Sequence, residues 1–195
     1  MTRARALPLS FHARPAVALA RDLLGRLLVH ATPEGRAAGR IVETEAYPGP
    51  GDPASHAAAR IGRTARNDPL FGPPGTVYLH LNYGVHWCLN VVAAEPGRPE
   101  GVLVRALEPV EGIESMRSRR AGRPELTSGP GRLVRALGIG TDLQRHRLDR
   151  PPLWIEAGEP VPDAAVVATT RVGIRRAADR PWRWYDGRSP WVSRR

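Results

Sequence analysis

Two stretches decide how this chain folds: Arg40-Ile-Val-Glu-Thr-Glu-Ala-Tyr47 and Val77-Tyr-Leu-His-Leu-Asn-Tyr-Gly84. Successive side chains of a β-strand point to opposite faces. In the first stretch that rule puts Glu43, Glu45 and Tyr47 on one face. In the second it separates Val77, Leu79 and Leu81 from Tyr78, His80 and Asn82. Each therefore reads as a strand with an apolar side and a polar or aromatic side. Carboxylates beside aromatic rings, in a basic chain, suit chemistry on a flat ring carried by something anionic.

The flanking sequence supplies the rest of a sheet. Ala16, Leu19, Ala20, Leu23, Leu24 and Leu27 follow helical spacing after Pro15, with Gly25 as terminator. Arg26–His30 reads as a strand, and a turn at Pro33-Glu-Gly35 returns it antiparallel to the Glu45 strand. Strands over Thr76–Leu81 and His86–Val92 meet at Asn82-Tyr83-Gly84, a hairpin signal because Asn and Gly accept positive φ. That leaves Tyr83 at the tip, either facing a partner or folded back on its strands.

Val102–Leu107 is a further apolar strand, interrupted by Arg105. A charge there calls for a partner, and Glu43 or Glu45 can supply one. By the same logic Glu45 is either a general base or half of an ion pair with Arg105 or Arg40. Gly112–Arg120 reads as a short helix, and Ser128-Gly-Pro-Gly131 opens another over Arg132–Leu137. Gly-rich helix starts can bind phosphate through free N–H groups. Strand candidates follow at Leu153–Glu156 and Ala164–Val172. The chain closes with tryptophans among arginines, a pattern suited to nucleic acid or to packing. Residues 48–74 form a long polar segment, whose composition leaves its role open. The expected architecture is a single α/β domain of the α+β type, a curved antiparallel sheet with surrounding helices, with residues 1–14 as a flexible arm.

Composition narrows the chemistry. The 195 residues hold 29 basic side chains, all arginine, against 19 acidic ones, a net charge of +10. The planar guanidinium binds phosphate oxygens in pairs, so an arginine excess fits a nucleic-acid partner. With no lysine, side-chain Schiff-base catalysis is excluded. The single Cys88 permits no internal disulfide and reads as a buried packing residue in a reducing compartment. No apolar run is long enough to span a membrane, and the N-terminus lacks a signal-peptide apolar core. Asp52, His56, His80 and His86 match no zinc signature. No nucleophile elbow appears either.

Several motifs occur in one order: Gly39-Arg-Ile-Val-Glu-Thr-Glu-Ala-Tyr47, Thr64-Ala-Arg-Asn67, Gly75-Thr-Val-Tyr78, Tyr83-Gly84 with Asn90, Val104-Arg-Ala-Leu-Glu-Pro109, Ser128-Gly-Pro130, Arg171-Val-Gly173 and Ser189-Pro-Trp-Val-Ser193. In this order and spacing, from about Pro15 to Ser193, the chain resembles the alkyladenine (3-methyladenine, methylpurine) DNA glycosylases. The resemblance implies a monofunctional enzyme that flips a damaged purine from duplex DNA and hydrolyses its N-glycosidic bond with water, without metal or other cofactor. Glu45 falls on the general base. Arg105 and the Val172 backbone fall where the attacking water is held. Tyr47, His56, His80 and Asn90 line the base pocket, Asn90 by crowding the exocyclic amine of guanine. Tyr83 matches the wedge that fills the gap in the duplex, and Arg66, Gly131 and Arg132 the DNA-backbone contacts. One departure stands out, because His80 occupies the place of a stacking tyrosine. The implied protein is a monomer working on double-stranded DNA containing damaged purines in a bacterial cytoplasm, at the nucleoid and away from membranes. A non-catalytic damaged-DNA or RNA-binding module on this scaffold is the alternative.

Overall fold

The computed structural model describes residues 6–195. Its elements, in chain order, are α1 (Leu9–His12), α2 (Ala16–Asp22), β1 (Leu27–Thr32), β2 (Gly35–Tyr47), β3 (Val77–Asn82), β4 (His86–Ala93), β5 (Glu100–Glu111), α3 (Ile113–Arg119), α4 (Pro130–Leu137), β6 (Asp149–Arg150), β7 (Leu153–Glu156), β8 (Val166–Thr169) and β9 (Arg183–Asp186). All nine strands join one sheet, in the order β3-β4-β5-β2-β1-β7-β6, with β9 against β2 and β8 beyond it. Every pairing is antiparallel. This is the mixed α/β single domain with a curved antiparallel sheet and surrounding helices that the sequence leads one to expect.

The long strand β2 organises the sheet. Its first half pairs with β1 up to Arg40. Beyond that point the same edge is free, and β9 takes it at Glu43–Glu45. The other edge is occupied by β5 from Ala38 to Tyr47, with register shifts around Glu43 that mark a bulge. The strand β9 has no counterpart among the expected elements, because only the departure of β1 creates the edge it occupies. At Ala164–Val172 the strand is shorter than expected. Residues Asp163–Ala165 form a 3-10 turn and pairing ends at Thr169, since the next residues are drawn toward the sheet interior by contacts described below. Of the expected N-terminal arm, residues 1–5 lie outside the described residues. Leu9–His12 forms a helical turn.

The sheet divides by residue parity. Val77, Leu79, Leu89, Val91, Val102, Val104 and Ala46 join α2 and α4 in the main core. On this side Thr44 donates to the Ala20 carbonyl at 2.7 Å, fastening β2 to α2. The opposite side carries Tyr78 and Val92, which pack beneath Ala57 and Leu70 of the segment between β2 and β3. That segment is thus an ordered cover. Its Asn67 is buried, receives the Thr64 N–H, and donates to the carbonyls of His56 and Gly62. The tryptophans Trp182, Trp184 and Trp191 pack at the margin of the main core.

His12 is fully buried and neither ring nitrogen has a partner. Burial, reinforced by Arg14, lowers its pKa from 6.5 to about 4. A histidine held neutral in the folded state stabilises fully above pH 6.5 and loses that contribution as pH falls toward 4. His12 accounts for a loss on the order of 3 kcal/mol across that window. Urea unfolding at pH 7 and pH 4.5 should show a smaller pH dependence for His12→Leu than for the parent chain. An equal dependence would remove His12 as a source of acid sensitivity.

Candidate functional site

The polar face of the sheet opens into a cleft of about 270 Å³, just below the usual range for small-molecule pockets. Its floor is the C-terminal half of β2, and β3, β4 and β5 form one wall. The cover segment contributes Ser55 and His56, and the loop after β8 contributes Val172 and Gly173. Each strand residue reaches the cleft by alternation, which is why Glu45, Tyr47, Tyr78, His80, Asn90, Leu103 and Arg105 meet there.

Glu43 and Glu45 have no exposed surface. Two buried carboxylates so close require compensation, and three devices provide it. Arg105 lies between them, its Nε donating to Glu43 at 3.0 Å and its Nη1 standing 3.3 Å from Glu45. Arg183 of β9 donates to Glu43 at 2.8 Å, and the Ser193 N–H donates to the other oxygen at 2.7 Å. The Tyr47 hydroxyl donates to Glu45 at 2.9 Å and the Val172 N–H to its second oxygen at 2.7 Å. Arg40 turns away to Glu108 and Asp186. Arg105 therefore serves both glutamates. Burial first, then the adjacent Glu45 carboxylate, push the Tyr47 phenol well above its ordinary pKa, so it stays a donor.

A second buried pair sets the loop that carries Val172. The side chains of Arg171 and Asp52 are both fully inaccessible, and the guanidinium engages both carboxylate oxygens. The same arginine donates to the Ala46 carbonyl at 2.9 Å and lies over the rings of Tyr47 and Trp182, at 4.6 and 5.0 Å from their centroids. Arg171 thereby ties the cover segment, β2 and the 171–173 loop together. Sequence reasoning gave neither Asp52 nor Arg171 this part, nor Glu43 its partners Arg183 and Ser193. The motifs Arg171-Val-Gly173 and Ser189–Ser193 were the available signals.

The aromatic wall is uncharged. His56 Nδ1 lies 2.9 Å from the Tyr78 hydroxyl, and its ring meets His80 edge-on at 4.5 Å. Burial, aided by Arg66, lowers the His56 pKa, and burial followed by His56 and Arg66 brings that of His80 to about 3. Cys88, buried as expected, borders the cleft as a thiol whose pKa burial raises to about 11. Among the described residues no three His, Cys, Asp or Glu side chains gather as a metal-holding group.

At the rim the β3–β4 turn presents Tyr83, which is 81% exposed and has a φ of +50°. A non-glycine residue in that region is strained, and such strain concentrates at functional sites. Tyr83 does not fold back. Arg66 is anchored beside it by donation to the Leu81 carbonyl at 2.8 Å. Gly131 sits in the first turn of α4 against His86, where a Cβ would come within 2.8 Å of the His86 side chain. The neighbouring Arg132 is exposed and donates to the Ser128 carbonyl at 2.9 Å. The backbone-contact candidates therefore stand on either side of the Tyr83 turn.

Residues 10–190 match the family described as "Methylpurine-DNA glycosylase (MPG)". A protein of Salinibacter ruber is 46% identical over 96% of this chain and 96% of its own length. One from Carboxydothermus hydrogenoformans is 44% identical over 97% and 99%, and one from Methanoculleus marisnigri is 48% identical over 97% and 99%. All three carry the name "Putative 3-methyladenine DNA glycosylase".

Removing one member of a buried ion pair strands the other's charge and costs ~3–5 kcal/mol. Asp52→Ala should lower the unfolding free energy by about that amount in chemical denaturation. Backbone amide exchange at Val172 should quicken with it. A loss below about 1 kcal/mol would show that Arg171 finds compensation elsewhere.

Proposed function

The chain belongs to the methylpurine-DNA glycosylase family, and from that premise we propose that it is a monofunctional DNA glycosylase for damaged purines. Its substrates are of the 3-methyladenine, 7-methylguanine, hypoxanthine and ethenoadenine class. The single observation that carries this reading is the setting of Glu45. It is a buried carboxylate at the base of a neutral aromatic cleft, held by Tyr47, Arg105 and the Val172 N–H.

In the proposed reaction duplex DNA docks across the Tyr83 turn, with Arg66, Gly131 and Arg132 against its backbone. Flipping a nucleotide costs a few kcal/mol, least where the base is damaged or mispaired. Tyr83 fills the vacated place in the stack. The flipped purine enters between Tyr47, His56 and His80, where stacking on each aromatic ring is worth ~1–3 kcal/mol. A neutral wall admits a cationic alkylated base, which protonated imidazoles would repel. Asn90 crowds the guanine amine.

Glu45 then accepts a proton from a water held with the help of Arg105 and the Val172 backbone. The water oxygen bonds to C1′ of the sugar as the C1′–N bond breaks, and the bonding pair leaves with the purine. A positioned general base supplies ~10²–10⁴-fold. The chain has no lysine side chain to form the Schiff base that precedes β-elimination. The product is accordingly an intact strand with an abasic site.

Duplexes containing a single hypoxanthine, ethenoadenine or methylated purine should yield alkali-labile abasic sites on incubation with the protein. Absence of lesion-dependent cleavage on every one of them defeats the proposal. Glu45→Gln should cut single-turnover excision by at least ~10²-fold while lesion-duplex affinity persists. Full activity in that variant would take the base role from Glu45. Tyr83→Ala should weaken binding to lesion duplexes more than it slows release of bound bases, measured by titration and single-turnover rates.

A further inference from the structure

The glycosylase reading leaves His80 with no task but stacking, although its ring is held more specifically than stacking requires. The Asn90 side-chain amide donates to the Tyr78 carbonyl at 3.1 Å and meets His80 Nδ1 at 2.8 Å. The Tyr78 contact demands that Asn90 present its NH2 group, because an amide oxygen there would face another oxygen. Its second hydrogen then points at His80 Nδ1, which must accept it. A neutral imidazole that accepts at Nδ1 carries its hydrogen on Nε2.

Among the described residues no group bonds His80 Nε2, and it is absent from the buried unpartnered atoms. This N–H is therefore open to solvent on a residue that lines the cleft. The ring is kept neutral by burial, His56 and Arg66, so the tautomer persists throughout the physiological range.

We infer that His80, oriented by Asn90, donates its Nε2–H to an acceptor atom of the flipped purine and so favours neutral, acceptor-bearing lesions such as hypoxanthine. This rests on the glycosylase reading and deepens it. Hypoxanthine departs with negative charge developing on its ring, and a donated hydrogen bond strengthens as that charge grows. The proton stays on His80. A purine alkylated at N7 departs as a neutral base on which no negative charge develops, so it gains little from the same donor. Asn90 then has a second use besides crowding guanine, because it sets the tautomer of its neighbour.

The test compares single-turnover release of hypoxanthine and of 7-methylguanine from matched duplexes by the parent chain, His80→Phe and His80→Gln. Phenylalanine keeps a stacking face without the donor, and glutamine keeps a donor near Nε2 without the ring. His80→Phe should lower the hypoxanthine to 7-methylguanine rate ratio about tenfold, the effect of one hydrogen bond. His80→Gln should restore most of that ratio. An unchanged ratio in His80→Phe overturns the inference while leaving the glycosylase reading intact. Release of neither base by the parent chain overturns both. Independently of any variant, nitrogen-15 shifts of the His80 ring in the free protein should report the Nε2–H tautomer. The Nδ1–H tautomer would overturn the inference on its own.

Discussion

The burial of two carboxylates on one face of β2 is the constraint from which the rest of the structure follows. Glu43 and Glu45 are both inaccessible, and an isolated buried charge costs several kcal/mol after relaxation. Arg105 sits between the two, but one guanidinium cannot satisfy four oxygens. The remaining donors come from distant parts of the chain: Tyr47 on the same strand, Val172 after β8, Arg183 on β9 and the Ser193 backbone at the C-terminus. Closing this network requires the C-terminal third to wrap back onto β2. The β9 strand and the short β8 are the form that return takes.

The division of labour between the two glutamates follows from their neighbours. Glu43 is held by two arginines and a backbone N–H, a saturated setting suited to support. Glu45 has one arginine, one phenol and one N–H, and it borders the cleft. The Arg171–Asp52 pair extends the same logic by one layer. It holds the loop that presents Val172 and pins the cover segment that encloses the aromatic wall. The cleft is thus tied by ion pairs and hydrogen bonds at its acidic floor and uncharged along its side, where His56 and His80 are kept neutral by burial and nearby positive charge.

Much of the site was legible because strand alternation is a local rule. Once Arg40–Tyr47 and Val77–Asn82 are recognised as strands, the sharing of one face by Glu43, Glu45 and Tyr47, and of another by Tyr78 and His80, needs no tertiary information. The hairpin position of Tyr83 and the opening of α4 at Ser128-Gly-Pro130 were equally local, because turn and helix-start chemistry is written in a few adjacent residues. The helix after Pro15 was visible too, although it gives way to a turn at Leu23–Gly25. By contrast, residues 48–74 were ambiguous. Their order comes from Asp52 and Ala57 finding partners outside the segment, and from Asn67 tying it internally to Thr64, His56 and Gly62, and composition carries no record of those partners.

The sequence by itself determined the strand periodicity, the basic charge, the absence of lysine and the motifs that place the chain in its family. These are properties of single residues, of neighbours one turn or one pleat apart, and of motif order along the chain, none of which needs a folded structure. Only the tertiary structure decided which arginine neutralises which carboxylate, that β9 would occupy the edge vacated by β1, and that Asp52 and Arg171 would be buried together. It also decided which hydrogen of Asn90 reaches His80, and hence which ring nitrogen is left free. The reason is physical. A buried charge or an oriented amide takes its partner from whatever surrounds it in space, and those surroundings exist only after distant segments have been brought together.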